Sequence, residues 1–253
     1  MADKGDNMGN NRNRKSREYA FDEQESEIVS EALAEYATRK QQGKYTLEDY
    51  LALPDEQRAE LIDGVIYDMA APSYLHQAVG DRVWRFFTDY IERNHGSCFA
   101  FTSPVDVQLD CDDRTVVQPD VLIVCDPTKF RNGRVFGAPD LVVEILSKST
   151  SFKDRGLKLV KYKKAGVREY WLIEPYRKKV LVYEFEKSDS PRIYGFGDKV
   201  PVGIFKAKIF PQCSAAEQSV RGDLLQDKEI CNSGCEVDFA QIYEQIMPLY
   251  DTM

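Results

Sequence analysis

Two stretches constrain the fold more than any other feature of this chain: VVQPDVLIVC (residues 116–125) and APDLVVEILS (138–147). Both are almost continuously apolar, and strands of that kind are buried on both faces in the middle of a sheet. Each also carries an acid in or beside its apolar run, Asp120 just after Pro119 and Glu144 between Val143 and Ile145. An ionised carboxylate in such a setting is costly unless it is paired, protonated or bound to a cation. Side chains alternate along a strand, so Val142, Glu144 and Leu146 share one face. If the two strands pair, Asp120 and Glu144 meet at a cleft edge. Two hard carboxylates with open water positions suit Mg²⁺ or Mn²⁺ better than zinc. The competing reading for each acid is an ordinary buried ion pair with Arg or Lys.

The surrounding elements follow from periodicity and punctuation. TLEDYLALPDEQRAEL opens with Thr46 and an acid-rich first turn, which predicts a helix with Glu60 at its end. LIDGVIYDMA reads as a hairpin, with Asp63 and Gly64 at the turn. Leu75, Val79, Val83, Phe86, Phe87, Tyr90 and Ile91 form a helical stripe that ends at Gly96. CFAFTSPVDVQLD alternates as a strand. A basic helix is expected from about Ser151 to Ala165, with Gly166 as its stop. REYWLIEP and KKVLVYEFE make two more strands around a turn near Pro175–Lys178, and SPRIYGFGDKVPVGIFKAKIF reads as peripheral β-structure. The order helix, hairpin, helix, strands, helix, strands predicts an α/β (α+β) sandwich with a mixed central sheet flanked by helices. Three regions are expected: an N-terminal extension (1–43), polar and disordered at first with a possible helix over 22–40; a core domain (44–212); and a C-terminal extension (213–253) with weak helical pattern around Phe239 to Leu249.

Net charge is −8, but the balance is uneven. Eleven cations and three acids lie between Lys148 and Lys179. A basic face on an acidic body can guide a polyanion to one place; a solvated helix face accounts for the same run equally well. Asp154, Lys158, Lys161 and Tyr162 share one helical face by spacing, with Tyr162 most simply core. His76, one of two histidines, stands near the start of the long helix. The six cysteines are expected as free thiols in a reducing compartment. The C-x₃-C spacing of Cys231 and Cys235 has no second ligand pair to make a zinc site. There is no GxSxG, P-loop, dinucleotide glycine motif or histidine-rich metal motif, so serine hydrolase, NTPase and nicotinamide chemistries lack support. No apolar run reaches membrane-spanning length, and the N-terminus lacks a signal-peptide core, so the chain reads as cytoplasmic with no membrane partner.

ELIDG, PSYLH, QPDVLIV, APDLVVEILSKST, KDRGLKLVKY and AGVREYWLIEP occur here in that order. In these segments the chain resembles the bacterial putative restriction endonuclease family, once known only as a domain of unknown function and abundant in cyanobacteria, within the PD-(D/E)XK nuclease superfamily. The resemblance covers about residues 44–212. It implies a restriction-endonuclease-like core and a metal-dependent endonuclease acting on DNA phosphodiester bonds. By position, Glu60 matches the helix glutamate of the family, Asp120 the PD aspartate and Glu144 the acid of the (D/E)XK element. These three are the expected ligands of Mg²⁺ (or Mn²⁺). The lysine position two residues after Glu144 holds Leu146, and Lys158 from the following helix is its expected replacement, with Lys161 as the fallback. His76, Asp154 and Lys161 are accessory candidates, while Lys148, Lys153, Arg155 and Lys161 are candidate DNA contacts. The alternative is a non-catalytic DNA- or protein-binding module on the same fold. Homodimerisation through REYWLIEP and KKVLVYEFE is a further expectation, although Trp171 reads better as core.

Overall fold

The computed structural model describes residues 40–54, 56–147, 154–205 and 234–250. The expected 22–40 helix, Lys148, Lys153, Cys213 and Cys231 lie outside them, apart from Lys40 at the boundary. From Gln42 onward the described residues belong to one compact unit.

Thr46 caps helix α1 (Leu47–Leu51) with a full capping box to Asp49. The helix stops short of Pro54, which cannot continue the backbone hydrogen-bond ladder. The expectation that it reaches Glu60 is therefore corrected. Glu60 lies in strand β1 (Ala59–Ile62), buried along its whole length, because β1 is paired on both sides: with β2 (Val65–Asp68) and with β5 (Val116–Val117). The hairpin turn is as read. Asp63 (φ 52°) and Gly64 (φ 78°) both take positive φ, the backbone that a tight two-residue β-turn needs.

Among the described residues two six-stranded sheets form, rather than a single central one. The first runs β2-β1-β5-β4-β8-β7, with β4 at Val107–Gln108, β7 at Phe130–Arg131 and β8 at Arg134–Phe136. The second runs β12-β11-β10-β9-β6-β3. Its members are β3 (Phe99–Thr102), β6 (Val121–Val124), β9 (Leu141–Ile145), β10 (Glu169–Glu174), β11 (Lys179–Glu184) and β12 (Arg192–Gly195). Both sheets are mixed: β9 and β10 run parallel, as do β4 and β8. The mixed α/β class expected from the sequence is borne out.

The alternation of strand side chains divides the core into layers. Val121, Ile123, Val143, Ile145 and Trp171 face one way, onto helix α2 (Tyr74–Arg93) and the C-terminal helix α4 (Phe239–Tyr250). Leu122, Val124, Val142, Leu146, Tyr170 and Leu172 face the other way, onto Ile62, Val107 and Val117 of the first sheet and Tyr162 of helix α3 (Leu159–Ala165). Tyr50, Leu61 and Val116 form a smaller cluster under α1. The 236–250 segment is built into this unit: β14 (Glu236–Asp238) pairs with β13 (Lys199–Pro201), and α4 packs on the core. REYWLIEP is central rather than an outer face, and Trp171 is fully buried.

The free-thiol expectation is corrected for one pair. Cys98 and Cys125 are joined by a disulfide, because they occupy the next cross-strand position beyond the Phe99–Val124 pair of β3 and β6. Cys111 and Cys235 carry free thiols. Among the described residues no helix is long and apolar enough to cross a membrane.

Candidate functional site

Strands β6 and β9 pair antiparallel, with Val121 opposite Val143. The next position in that register sets Asp120 opposite Glu144. Directly opposed residues share a sheet face and have Cβ atoms about 5 Å apart. Both acids lie on the face that carries Leu122 and Val142, between the two sheets. Asp120 is fixed at the mouth of this layer. Its Oδ2 accepts from the Ile145 backbone N–H at 2.7 Å and lies 3.1 Å from His76 Nε2. His76 reaches it from the first turn of α2, which Ser73 caps by accepting from the His76 N–H.

Glu60 enters the same layer from the first sheet, on the side of β1 that carries Ile62. Its Oε1 accepts from the Gln118 backbone N–H at 3.0 Å and lies 2.7 Å from Lys158 Nζ. Lys158 also donates to Glu144 Oε1 at 2.8 Å, with Asp154 Oδ1 at 3.7 Å. The lysine is 2% exposed. It closes a π-helical turn (Asp154–Lys158) that leads straight into α3. The face predicted by spacing is thus the buried face: Asp154, Lys158, Lys161 and Tyr162 all point inward. Tyr162 is more than core filler. Its hydroxyl donates to Glu144 Oε1 at 2.7 Å, and the Tyr170 hydroxyl donates to the Asp154 carbonyl at 3.0 Å.

The electrostatics are those of several acids sharing one cation. Burial pushes the Glu144 carboxyl well above the usual carboxylate range. Lys158 pulls it back, while Asp154, Asp120 and Glu60 push it further up. Burial works against charge on Lys158, but Glu144, Glu60 and Asp154 outweigh it and hold the ammonium well above its ordinary value. Burial and the Glu144 charge also keep Tyr162 a neutral donor.

Two expectations need correction. Among the described residues no three His, Cys, Asp or Glu side chains are grouped so as to hold one ion. Glu60 is instead bound to Lys158, which stands between it and Glu144. Lys161 is not a surface contact for a polyanion: it is buried, 2.6 Å from Asp63 Oδ1 and also bonded to Asp110. Arg155 lies 2.5 Å from Glu174.

The remaining pair fits a hard divalent cation in its donor chemistry. Asp120 Oδ1 and Glu144 Oε2 receive no hydrogen bond among the described residues, since each acid's protein donors converge on its other oxygen. Mg²⁺ is commonly held by one or two carboxylates, with water and phosphate oxygens completing its shell. Sequence reasoning missed Gln118, whose backbone grips Glu60 and whose side chain donates to Tyr50 and Asp106. Its place directly before Pro119–Asp120 was the available signal.

Opposed carboxylates and a buried lysine lie between the sheets of a mixed α/β core, and similarity to known proteins gives that core a nuclease-like fold. The chain belongs to the Uma2 family, described as "Putative restriction endonuclease", whose model matches residues 47–205. It is 33% identical over 121 residues to the uncharacterized protein slr1290 of Synechocystis sp. (strain ATCC 27184 / PCC 6803 / Kazusa), a match covering 47% of this chain and 62% of that protein. It is similar in fold to the crystal structure of a protein from Anabaena variabilis ATCC 29413 titled a putative nuclease belonging to DUF820. The TM-score is 0.54 and the identity 23%, over 66% of this chain and 93% of that one.

Proposed function

We propose that this protein is a metal-dependent endonuclease that hydrolyses DNA phosphodiester bonds, with Asp120 and Glu144 as the ion-binding pair. The observation that carries this reading is the cross-strand opposition of these two acids, each with one oxygen left without a donor. The chemistry supplied by a bound Mg²⁺ or Mn²⁺ is charge neutralisation at a phosphate and a lowered pKa of attacking water. The protein's own groups do the positioning. The Ile145 N–H and His76 fix the Asp120 carboxylate, and Tyr162 and Lys158 fix that of Glu144. Lys158 keeps its proton and sets a positive charge beside the place where phosphoryl charge develops. Glu60 and Asp154 keep that ammonium charged and in place.

Cleavage of plasmid DNA with Mg²⁺ or Mn²⁺ tests the reading. Wild type should nick, whereas Asp120→Ala and Glu144→Ala should each lose at least about 100-fold in rate. Undiminished cleavage by both variants would remove the site from consideration.

One observation favours a second reading, a non-catalytic binding module on the same fold: Lys158 already fills the space between Glu60 and Glu144. Calorimetric titration separates the two. Absent Mg²⁺ binding at millimolar concentration, with DNA binding retained, would favour the module.

A further inference from the structure

Beside Asp120, at the mouth of the layer, lies a cation that takes no part in the ion-binding pair. The Ser103 N–H donates to the Asp120 carbonyl at 3.0 Å, one position beyond the Thr102–Val121 pair of β3 and β6. Directly opposed residues share a sheet face, so Glu144, Asp120 and Ser103 form one row across β9, β6 and β3. With strands about 4.8 Å apart, the row spans roughly 10 Å. Lys158 covers its Glu144 end. Arg58 covers the other end, where its Nη2 donates to Ser103 Oγ at 3.0 Å. Arg58 directly precedes β1, and its carbonyl accepts from the Met69 N–H at 2.8 Å, which extends the β1–β2 ladder. The period of two sets its side chain on the face of β1 that carries Glu60. Asp120 thus stands with a lysine beyond one neighbour of its row and an arginine at the other.

The two cations differ in what they hold. Lys158 is occupied by Glu60, Glu144 and Asp154. Arg58 has no carboxylate partner among the described residues. Its Nη2 is shared between two neutral oxygens, Ser103 Oγ at 3.0 Å and Gln118 Oε1 at 3.4 Å. Gln118 turns that oxygen toward Arg58, because its amide nitrogen donates to Tyr50 and Asp106. The Arg58 Nε–H is buried with no acceptor, and Nη1 donates to no group among the described residues. Two other half-buried arginines are answered by acids, Arg155 by Glu174 and Arg168 by Asp140 and Glu186. A guanidinium keeps its charge, and one held in place by neutral oxygens, with donors to spare, is oriented for an anion from outside. Arg58, Ser103, Gln118 and Asp120 are all partly exposed, so such an anion can reach it. The acids of the site outnumber Lys158, and a phosphate arriving at Asp120 is repelled unless further positive charge meets it.

We infer that Arg58 is a substrate-binding residue that grips a backbone phosphate of the DNA beside Asp120, on the side away from Lys158. This deepens the proposed function and rests on it for the identity of the anion. The contact is with the sugar-phosphate backbone, so it strengthens binding without selecting a base sequence.

Fluorescence anisotropy in EDTA reads the contact apart from metal and cleavage, with labelled DNA duplexes of unrelated sequence titrated at several KCl concentrations. Arg58→Gln and Arg58→Met remove the charge, the first keeping a polar group for Ser103 and the second keeping only the stem. Each should weaken binding roughly 10-fold or more, to the same extent for every duplex. Each should also reduce the steepness of log Kd against log salt by about 1, whereas Arg58→Lys should keep the wild-type slope. Neutral variants that bind with wild-type affinity and slope would overturn the inference; if they also unfold at lower temperature, Arg58 serves only to hold the two sheets together. A wild type that binds no duplex would overturn it as well. The two readings fail separately. Normal cleavage by Asp120→Ala and Glu144→Ala sinks the nuclease reading whatever Arg58 does, and an unchanged salt slope in the Arg58 variants sinks this inference even in an active nuclease.

Discussion

Replacing Lys158 by methionine removes one positive charge and leaves Glu60, Glu144 and Asp154 facing one another in a buried layer. The ammonium lies 2.7 Å from Glu60 and 2.8 Å from Glu144. At an effective dielectric near 20, each such pair represents roughly 6 kcal/mol of Coulomb attraction. The lysine's own desolvation cost, relieved in the variant, offsets much of this. Removing one partner of a buried pair costs about 3–5 kcal/mol in practice. For a domain of this size that is a fall in Tm of roughly 6–20 °C. The same reasoning gives a second effect of opposite sign. With the internal cation gone, the crowded acids gain more from an external one, so millimolar Mg²⁺ should raise the Tm of Lys158→Met by more than it raises that of wild type. Thermal unfolding in EDTA and in Mg²⁺ reads both effects, and Glu60→Gln in the Lys158→Met background should restore part of the loss. A Lys158→Met protein within about 1 kcal/mol of wild type, with no difference in response to Mg²⁺, would refute the account of one cation shared among several acids.

Two further predictions concern the frame around the site. Glu169 is buried and accepts from the Trp171 indole at 2.8 Å and the Ile204 N–H at 2.9 Å. Burial still pushes its carboxyl above the ordinary 4.5. The native state therefore holds the proton to higher pH than the unfolded chain does, and this contribution to stability is lost as pH rises from 4.5 through the raised value. Urea denaturation from pH 4 to 7 should show that decline in wild type, and Glu169→Gln should lack this component whatever its absolute cost. Gly64→Ala should destabilise by more than about 1 kcal/mol, because the position has φ 78° and an added Cβ would lie 2.8 Å from the Gly43 carbonyl oxygen. A smaller loss in chemical denaturation would show that the hairpin supporting Glu60 relaxes around the methyl group.

The parts of the site legible in the sequence are those set by local periodicity. Asp120 and Glu144 stand out because each interrupts an apolar strand, and the period of two fixes which neighbours share their face. Lys158 and Tyr162 stand out because they are four residues apart on a helix, although a π-helical turn replaces the first regular turn. Glu60 was misplaced because nothing local marks its strand: β1 is four residues long, and its burial comes from partners contributed by Val65–Asp68 and by Val116. The basic run is open to two readings for a related reason. Sequence counts charges but does not reveal their partners, and Lys161 finds Asp63 and Asp110 far away along the chain. The Cys98–Cys125 bridge also depends on a strand pairing that spacing alone does not give.

The position two residues after Glu144 is already occupied by core packing, which supports the proposed role of Lys158 as the site's lysine. Leu146 lies on the same side of the layer as Glu144, buried against Val142 and Tyr162. A lysine there would displace apolar packing and compete for an acid that already has its cation. Lys158 reaches Glu144 from the helix covering that face, and the same geometry lets it reach Glu60 on the opposing sheet. A single side chain thus ties both sheets and the helix at one point. The charge that phosphoryl transfer would need is also what holds the layer closed, so substitutions of Lys158 should cost stability and activity together. Substitutions of Asp120, at the mouth and not ion-paired with the ammonium, should separate the two. Comparing the ratio of lost stability to lost cleavage at these positions tests this division of labour, and equal ratios would contradict it.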